Sequence, residues 1–397
     1  MELSRIKEAA DKFGTPLYLF DLDCIRDRVQ RFRDAFKGEI ELTYSMKTNP
    51  FLTLEMSRQV ERIEVCSMGE FRICRDLAIP AEKLYISGVL KIREDLMEIL
   101  EYGQDIARYT AESPLQLQML SDWADAHGKT LRVYPRLTNG SQFGMDASEV
   151  RSLIAGRALH PEVHIAGLHY FSGTQKRKLS VIEKETAMLA AFCDSLREEY
   201  GYRTEWLEYG PGLAADYFSP DADGAEAERL NAAAPAIRAL SERFPLTVEM
   251  GRFFAAPCGT YFTTVCDVKV NEGVSYAILD GGLHQLRYDG QLQGMQIPVI
   301  TRLGAPDGEE RLWTLCGSLC TTADVLARNV PLRGLRVGDT LAFHRVGAYS
   351  AFEGMALFLS RDLPQIWLLD ENGRLRRVRD RIDADGFNGE RKEGQPA

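Results

Sequence analysis

The sequence predicts an α/β protein: a (β/α)8 barrel of the TIM type followed by a mostly β domain. Three observations predict it. Between residues 40 and 252, eight short runs rich in Val, Ile, Leu, Tyr or Thr alternate with stretches whose apolar residues recur at three and four. The first run is not followed by the glycine fingerprint of a doubly wound dinucleotide-binding sheet. Beyond residue 260 the helical spacing stops, and strand-like runs follow one another.

The barrel strands are expected at 41–47, 62–67, 83–87, 106–111, 131–137, 165–171, 206–211 and 246–252. Helical patterns between them include 92–101, 113–126, 178–200 and 224–243. This alternation is what an eight-stranded barrel requires. Later strands are expected at 260–270, 275–280, 296–302, 311–317, 340–347 and 365–379, with "TPLYLFD" (15–21) supplying one more. The expected organisation is therefore a barrel over 25–260, a β domain from 1–24 and 261–382, and a polar tail, 383–397, expected to be disordered.

The chain's 397 residues, 45% of them hydrophobic, suffice for two domains with real cores. No apolar run approaches the roughly 18 residues of a membrane helix, and the N-terminus "MELSR" lacks a signal-peptide core. A formal charge of −10 argues against nucleic acid as the main partner. The eight cysteines form no CxxC pair and fit a reducing, cytoplasmic setting. The six histidines are dispersed, so no metal site is expected.

In a barrel, chemistry gathers at the C-terminal ends of the strands. In order, these ends carry Lys47; Ser67 and Gly69; Gly88; Glu112; Arg136; His169 to Thr174; Gly210-Pro211-Gly212; and Glu249-Met250-Gly251-Arg252. The lysine of "ELTYSMKTNP" (41–50) would read alone as a surface residue; in this ring it faces a shared mouth. Partly stripped of water, its amine becomes a nucleophile able to form a Schiff base. The turn in "EYGPGL" (208–213) lets backbone N–H groups approach an anion. Thr174 adds a hydroxyl and Arg252 a bidentate guanidinium, contacts worth about 1.5–3 kcal/mol each when charge-assisted. With an acid, Glu249, these are the parts needed to hold pyridoxal 5′-phosphate.

"YSMKTNP" (44–50) resembles the YAxKAN motif of the fold-type III pyridoxal-phosphate decarboxylases, the diaminopimelate, ornithine and arginine decarboxylase group. "EVCSMGE" (64–70) is similar to that family's D-x-A-S-x-x-E, "GLHYFSGTQ" (167–175) to GLHxHxGSQ, "LEYGPGL" (207–213) to LDxGGG and "EMGRF" (249–253) to EPGR. Later, "GSLCTTAD" (317–324) resembles GPxCxxxD and "VGAYS" (346–350) the GAY motif. The matches keep family order over nearly the whole chain.

The resemblance implies that Lys47 carries the cofactor and that Glu249 pairs with the pyridine nitrogen, keeping it protonated as an electron sink. It implies that the Gly210 to Gly212 turn, Arg252, Thr174 and Tyr349 hold the phosphate, with Gly251 also at the cofactor and Arg136 near the phenolic oxygen. Cys320 would protonate the substrate carbon from a partner subunit, making a homodimer with shared sites, and Asp324 would lie at the substrate end. Four departures from the family bear on the site. Glu64 replaces an aspartate, Phe171 the ring-stacking histidine and Pro211 a turn glycine. Thr321 stands where an acid grips the distal amine of a diamine-type substrate. A closed pocket that leaves an ammonium unpaired costs several kcal/mol.

The expected activity is thus decarboxylation of an amino acid or derivative, on a carrier-protein-tethered or conjugated substrate, as in the specialised branch that includes the butirosin glutamyl-carrier-protein decarboxylase. "GGLHQLRYDGQLQGM" (281–295) supports this, because it lacks the family's arginine-proline segment. The alternatives are a free-amino-acid decarboxylase of diaminopimelate or ornithine type, an amino-acid racemase, and a non-catalytic regulator. The retained lysine and phosphate ligands argue against the last.

Overall fold

The computed structural model describes residues 3–38, 40–103, 106–304 and 307–390. The chain forms two compact units. One comprises Arg26–Ala215 and Asp223–Phe253; the other comprises Met1–Ile25, Asp216–Ala222 and Phe254–Ala397.

The first strand, β1 (Leu17–Asp21), belongs to the second unit. The first unit is built from β2 (Glu41–Ser45), β3 (Arg62–Val65), β4 (Leu84–Ile86), β5 (Arg108–Ala111), β6 (Leu131–Leu137), β7 (Val163–Ile165), β8 (Gly167–Phe171), β9 (Trp206–Gly210) and β10 (Leu246–Met250). Parallel pairing runs β2–β3–β4–β5–β6–β8–β9–β10 and returns to β2, so the barrel is closed with eight strands, as the alternation predicts. The expected strand at 165–171 is broken at Ala166, and its short first part, β7, also pairs with β6. A Cβ on Gly167 would collide with the carbonyl of Trp206, so only glycine lets β8 start against β9.

Each barrel strand is buried along most of its length, which explains why these runs read as almost continuously apolar. The exceptions lie in the interior. Arg108 donates from Nη1 to Glu208 (2.9 Å) and Thr247 (2.8 Å) and from Nη2 to Glu41 (3.1 Å). Its guanidinium also lies over the rings of Trp206 (4.7 Å) and Tyr134 (5.3 Å). Burial pushes the Glu208 carboxyl up to about 7, against the pull of Arg108.

The second unit holds β11 (Gly259–Asn271), β12 (Val274–Leu279), β13 (Ile300–Arg302), β14 (Glu310–Cys316), β15 (Val325–Arg333), β16 (Thr340–His344), β17 (Gln365–Leu369) and β18 (Leu375–Arg379). They form one sheet in the order β15-β14-β12-β11-β1-β17-β18, with β16 on β11 and β13 on β16. β1 lies antiparallel to β11 and parallel to β17, so "TPLYLFD" does supply a strand here. Leu17, Leu19, Phe262, Ala342, Trp367 and Leu369 form a core under the first helix (Leu3–Phe13), whose Phe13 ring stacks on Trp367 at 3.8 Å.

Three expectations need correction. The run 365–379 is a hairpin, because Gly373 adopts φ +69° and the Asp370 side chain accepts the N–H groups of Asn372 and Arg374. β15 was not expected, since Asn329, at φ +54°, and Pro331 interrupt its strand signal. Part of the tail is ordered: Asp385–Asn388 forms a helical turn, and Asn388 donates to Leu357 O and Ser360 Oγ. The rest of that tail, 391–397, lies outside the described residues.

Arg108→Met should leave Glu208 as an uncompensated buried carboxyl, destabilising the protein by about 3–5 kcal/mol. Adding Glu208→Gln should recover much of that loss, as read by urea unfolding of the single and double variants.

Candidate active site

Sheet register sets the site. β2 lies between β3 and β10, with Ser45 opposite Glu64 and Thr43 opposite Glu249. Lys47 follows in a single 3-10 turn, Met46–Thr48, that lifts it off the strand end. Its amine thus stands between two carboxylates supplied by its neighbours. Nζ is 2.5 Å from Glu64 Oε2 and 3.8 Å from Glu249 Oε1. The lysine side chain is 38% exposed, while Glu64 and Glu249 are 3% and 4% exposed. The amine therefore faces the mouth and the acids lie beneath it.

Glu249 is held from three directions. Ser45 Oγ donates to Oε1 (3.0 Å), His169 Nε2 lies 3.0 Å from Oε2, and Lys47 is close by. Burial pushes this carboxyl up, but Lys47, the His169 hydrogen bond and Arg136 outweigh it and hold it well below the usual carboxylate range. An ionised carboxylate only accepts, so His169 carries its proton on Nε2. The histidine ring meets Tyr85 edge to face, with centroids 5.8 Å apart.

Arg136, at the end of β6, donates from Nη1 to Glu112 Oε1 (2.9 Å), and its guanidinium lies 4.8 Å from the Phe143 ring centre. Gly144 N donates to the other Glu112 oxygen. Lys91, beyond β4, donates to Gly88 O (2.9 Å), Thr110 Oγ1 (3.0 Å) and Gln116 Oε1 (3.0 Å). Gln116 Oε1 also accepts the Glu112 N–H, so Lys91 is tied to the Glu112–Arg136 pair.

Opposite these groups, the loops after β8, β9 and β10 meet. Lys176 N donates to Gly212 O and Ala214 N to Lys176 O, zipping two of them together. Gly212 has φ +60°, and a Cβ there would collide with the Gly173 carbonyl. A Cβ on Gly251 would collide with Thr48 Oγ1, beside Lys47. Gly210 leaves room for the Phe171 ring, which a Cβ would strike. Arg252 Nε donates to Thr174 Oγ1 at 3.3 Å. Lys47, Glu249, Arg136, Phe171, Thr174, Gly210, Gly212, Gly251 and Arg252 all lie at this end of the barrel strands.

The remaining candidates belong to the β-rich unit. Cys320 is exposed and Thr321 half-buried in the loop between β14 and β15. Tyr349 is half-buried at φ +63°. Asp324 is buried, and its oxygens accept the N–H groups of Leu283 (2.7 Å) and Leu319 (2.8 Å). A Cβ on Gly282 or Gly317 would press into that carboxylate. Each of its oxygens thus holds one N–H group, which ties Asp324 to the loop around it.

These residues fit pyridoxal 5′-phosphate. The barrel offers an accessible amine, a buried ionised carboxylate and a glycine-lined loop cradle beside an arginine. Arg136 Nε and His169 Nδ1 are buried without a hydrogen-bond partner among the described residues. Sequence reading assigned no role to Ser45, Cys66 or Lys91. "SGVLK" (87–91) carried a signal for the last, a lysine just past a strand-end glycine.

The family profile for the pyridoxal-dependent decarboxylases, pyridoxal-binding domain, matches residues 22–256. The chain is 28% identical to the L-glutamyl-[BtrI acyl-carrier protein] decarboxylase of Niallia circulans, over 97% of this chain and 95% of that protein. It is 31% identical to a diaminopimelate decarboxylase of Actinosynnema pretiosum subsp. auranticum, over 86% and 81%. The crystal structure of the Methanocaldococcus jannaschii diaminopimelate decarboxylase has the same fold, with a TM-score of 0.82 at 23% identity, over 95% and 92% of the two chains.

Burial lowers the Lys91 amine from 10.5 to about 8. A lysine whose folded value is depressed is charged in the unfolded chain and neutral in the fold between those limits, so stability rises with pH across that window. Wild type should therefore gain stability relative to Lys91→Met as pH climbs from about 8 towards 10.5, and not below it. Parallel thermal unfolding series of the two proteins check this.

Proposed function

The chain belongs to the pyridoxal-dependent decarboxylases, and from that premise we propose that it is a homodimer removing CO2 from a carrier-tethered or conjugated amino acid. The observation that carries the reading is the Lys47 amine, on a half-buried side chain at the barrel mouth, between two buried carboxylates. Pyridoxal 5′-phosphate, once bound, supplies the electron sink that takes up the charge left by departing CO2. Lys47 would hold it through the amine, Glu249 would face its ring nitrogen, and Gly210, Gly212, Gly251, Thr174, Arg252 and Tyr349 would hold its phosphate. Phe171 would offer an aromatic face, and Arg136 would lie near its phenolic oxygen.

The residues divide the work by charge. Glu249, held ionised by Lys47, His169 and Arg136, keeps a fixed negative charge where a cationic ring nitrogen needs one. Lys47 would hold the cofactor through its amine when no substrate is present and yield that place to the substrate's own amine, with Glu64 as its near counter-charge. Cys320, contributed by a partner subunit, returns a proton to the substrate carbon. Thr321 beside it offers a hydroxyl and no charge, which suits a substrate whose distal end is an amide or thioester linkage better than one ending in an ammonium. The likeness to the BtrI carrier-protein decarboxylase supports the same choice.

Among the described residues no helix is long and apolar enough to cross a membrane. The eight cysteines are free thiols, which supports a cytoplasmic setting.

CO2 release measured over free amino acids and aminoacyl carrier proteins tests the reading. Release should favour the tethered substrates and fall by about 10²–10⁴-fold in Lys47→Ala, the scale of a lost proton-transfer group. Equal release by that variant would sink the mechanism, and preference for free lysine or ornithine would sink the substrate assignment. In heavy water, α-deuterated amino acid without CO2 would identify a racemase instead. Mixing inactive Lys47→Ala and Cys320→Ala subunits should restore part of the activity, because one mixed site in each heterodimer is intact.

A further inference from the structure

We infer that Cys66 is a positioning residue for the Lys47 amine, acting through Glu64. The inference rests on the proposed role of Lys47 and adds a residue which that role leaves out. Glu64 presents one oxygen to each neighbour: Oε2 lies 2.5 Å from Lys47 Nζ, and Oε1 accepts from Cys66 Sγ at 3.3 Å. Lys47 Nζ also lies 3.6 Å from the same sulfur. The three groups therefore form a closed triangle at the ends of β2 and β3.

The thiol is the fixed corner. Cys66 N donates to Glu70 Oε2 at 2.6 Å, and Ser67 Oγ accepts from Glu70 N, capping the helix Met68–Asp76. On its other side the Cys66 carbonyl lies 2.6 Å from where a Cβ on Gly88 would stand, and Gly88 has φ +101°. The peptide is thus clamped between a helix N-terminus and a glycine that makes room for it. Cys66 also lines a half-open cavity of about 340 Å³ whose wall joins Val65, Ile86, Leu96 and Ile99 to the polar Ser87 and Asp95.

Burial raises the Cys66 thiol well above its ordinary value, and Glu64 raises it further against the pull of Lys47. It remains a neutral donor, as a contact with a carboxylate requires; a thiolate would repel Glu64. The other charged groups facing this corner are Glu249 on β10, Glu70 on the capped helix and Lys91 beyond β4. A glutamate tied at one oxygen can turn about its terminal bond. Tied at both, it keeps Oε2 on the lysine and gives that nitrogen a fixed counter-charge.

The test uses holoenzyme of wild type, Cys66→Ala, Cys66→Val and Cys66→Ser. Each is titrated while the long-wavelength absorbance of the lysine-linked cofactor is followed, and borohydride trapping locates the linkage. In the two variants without a donor, the pH midpoint of that absorbance should fall by about one unit, a tenfold change in the protonation equilibrium. Cys66→Ser, which keeps a donor, should retain the wild-type midpoint. If Cys66→Ala binds no cofactor, the larger valine serves as the donor-free protein. An unchanged midpoint in the donor-free proteins, or an equal fall in the serine variant, would overturn the inference. Failure of wild type to trap cofactor on Lys47 would overturn the proposed function and the inference with it.

Discussion

Uncompensated carboxylates cannot be left inside a closed barrel, and this constraint organises the protein's interior. Glu64, Glu208 and Glu249 are all buried in one barrel unit. Each sits beside a cation: Lys47 serves the upper two, and Arg108 serves Glu208. Desolvation alone favours the protonated form of a buried carboxyl. Its outcome differs between the two levels, holding Glu249 well below the carboxylate range while Glu208 titrates near 7. Lys47, the His169 hydrogen bond and Arg136 together make the difference at Glu249. The ionised Glu249 at the barrel mouth is therefore a product of cation placement, and that placement follows from strand register.

Register links the fold to the chemistry. In a parallel barrel each strand has two fixed neighbours, so a residue at a strand end is flanked by the ends of the strands on either side. β2 carries Lys47 just past its end, while β3 and β10 each place a glutamate against it. Moving either neighbour by one residue would turn its glutamate to the outer face. The glycines of the opposite loops answer a different demand. Gly212 and Gly251 permit close backbone or side-chain approach, while Gly210 makes space for Phe171. The three glycines of that side thus have separate reasons to be glycine.

Much of this was legible in the sequence because a barrel repeats one local rule. Strand, helix and a polar strand end recur often enough for the ring of Lys47, Glu112, Arg136, His169 and Glu249 to be read in order. What escaped reading depended on pairing between distant segments. β15 carries Asn329 and Pro331, whose local preference is overridden by its ladder with β14. Asp324 kept its motif position, but its clamp on Leu283 and Leu319 joins two loops that are distant in sequence. Cys66 and Lys91 look like ordinary strand-end residues until Glu64, Gln116 and Gly88 are placed around them.

The departures from the family pattern fall on different sides of the chemistry, and that difference carries meaning. At Glu64 charge is kept while length changes, so the amine retains its counter-ion. At Phe171 an aromatic face remains and proton exchange is lost. At Pro211 a backbone donor is lost, but the turn keeps Gly212 in its left-handed conformation. Thr321 alone removes a charge outright. On the proposed reading, an electrostatic arrangement preserved around Lys47 and relaxed beside Cys320 keeps the reaction while changing what enters the site. A hydroxyl there exacts no desolvation penalty for an uncharged linkage, whereas a carboxylate facing such a linkage would be left unpaired. Specificity of this kind is set by the group that is missing.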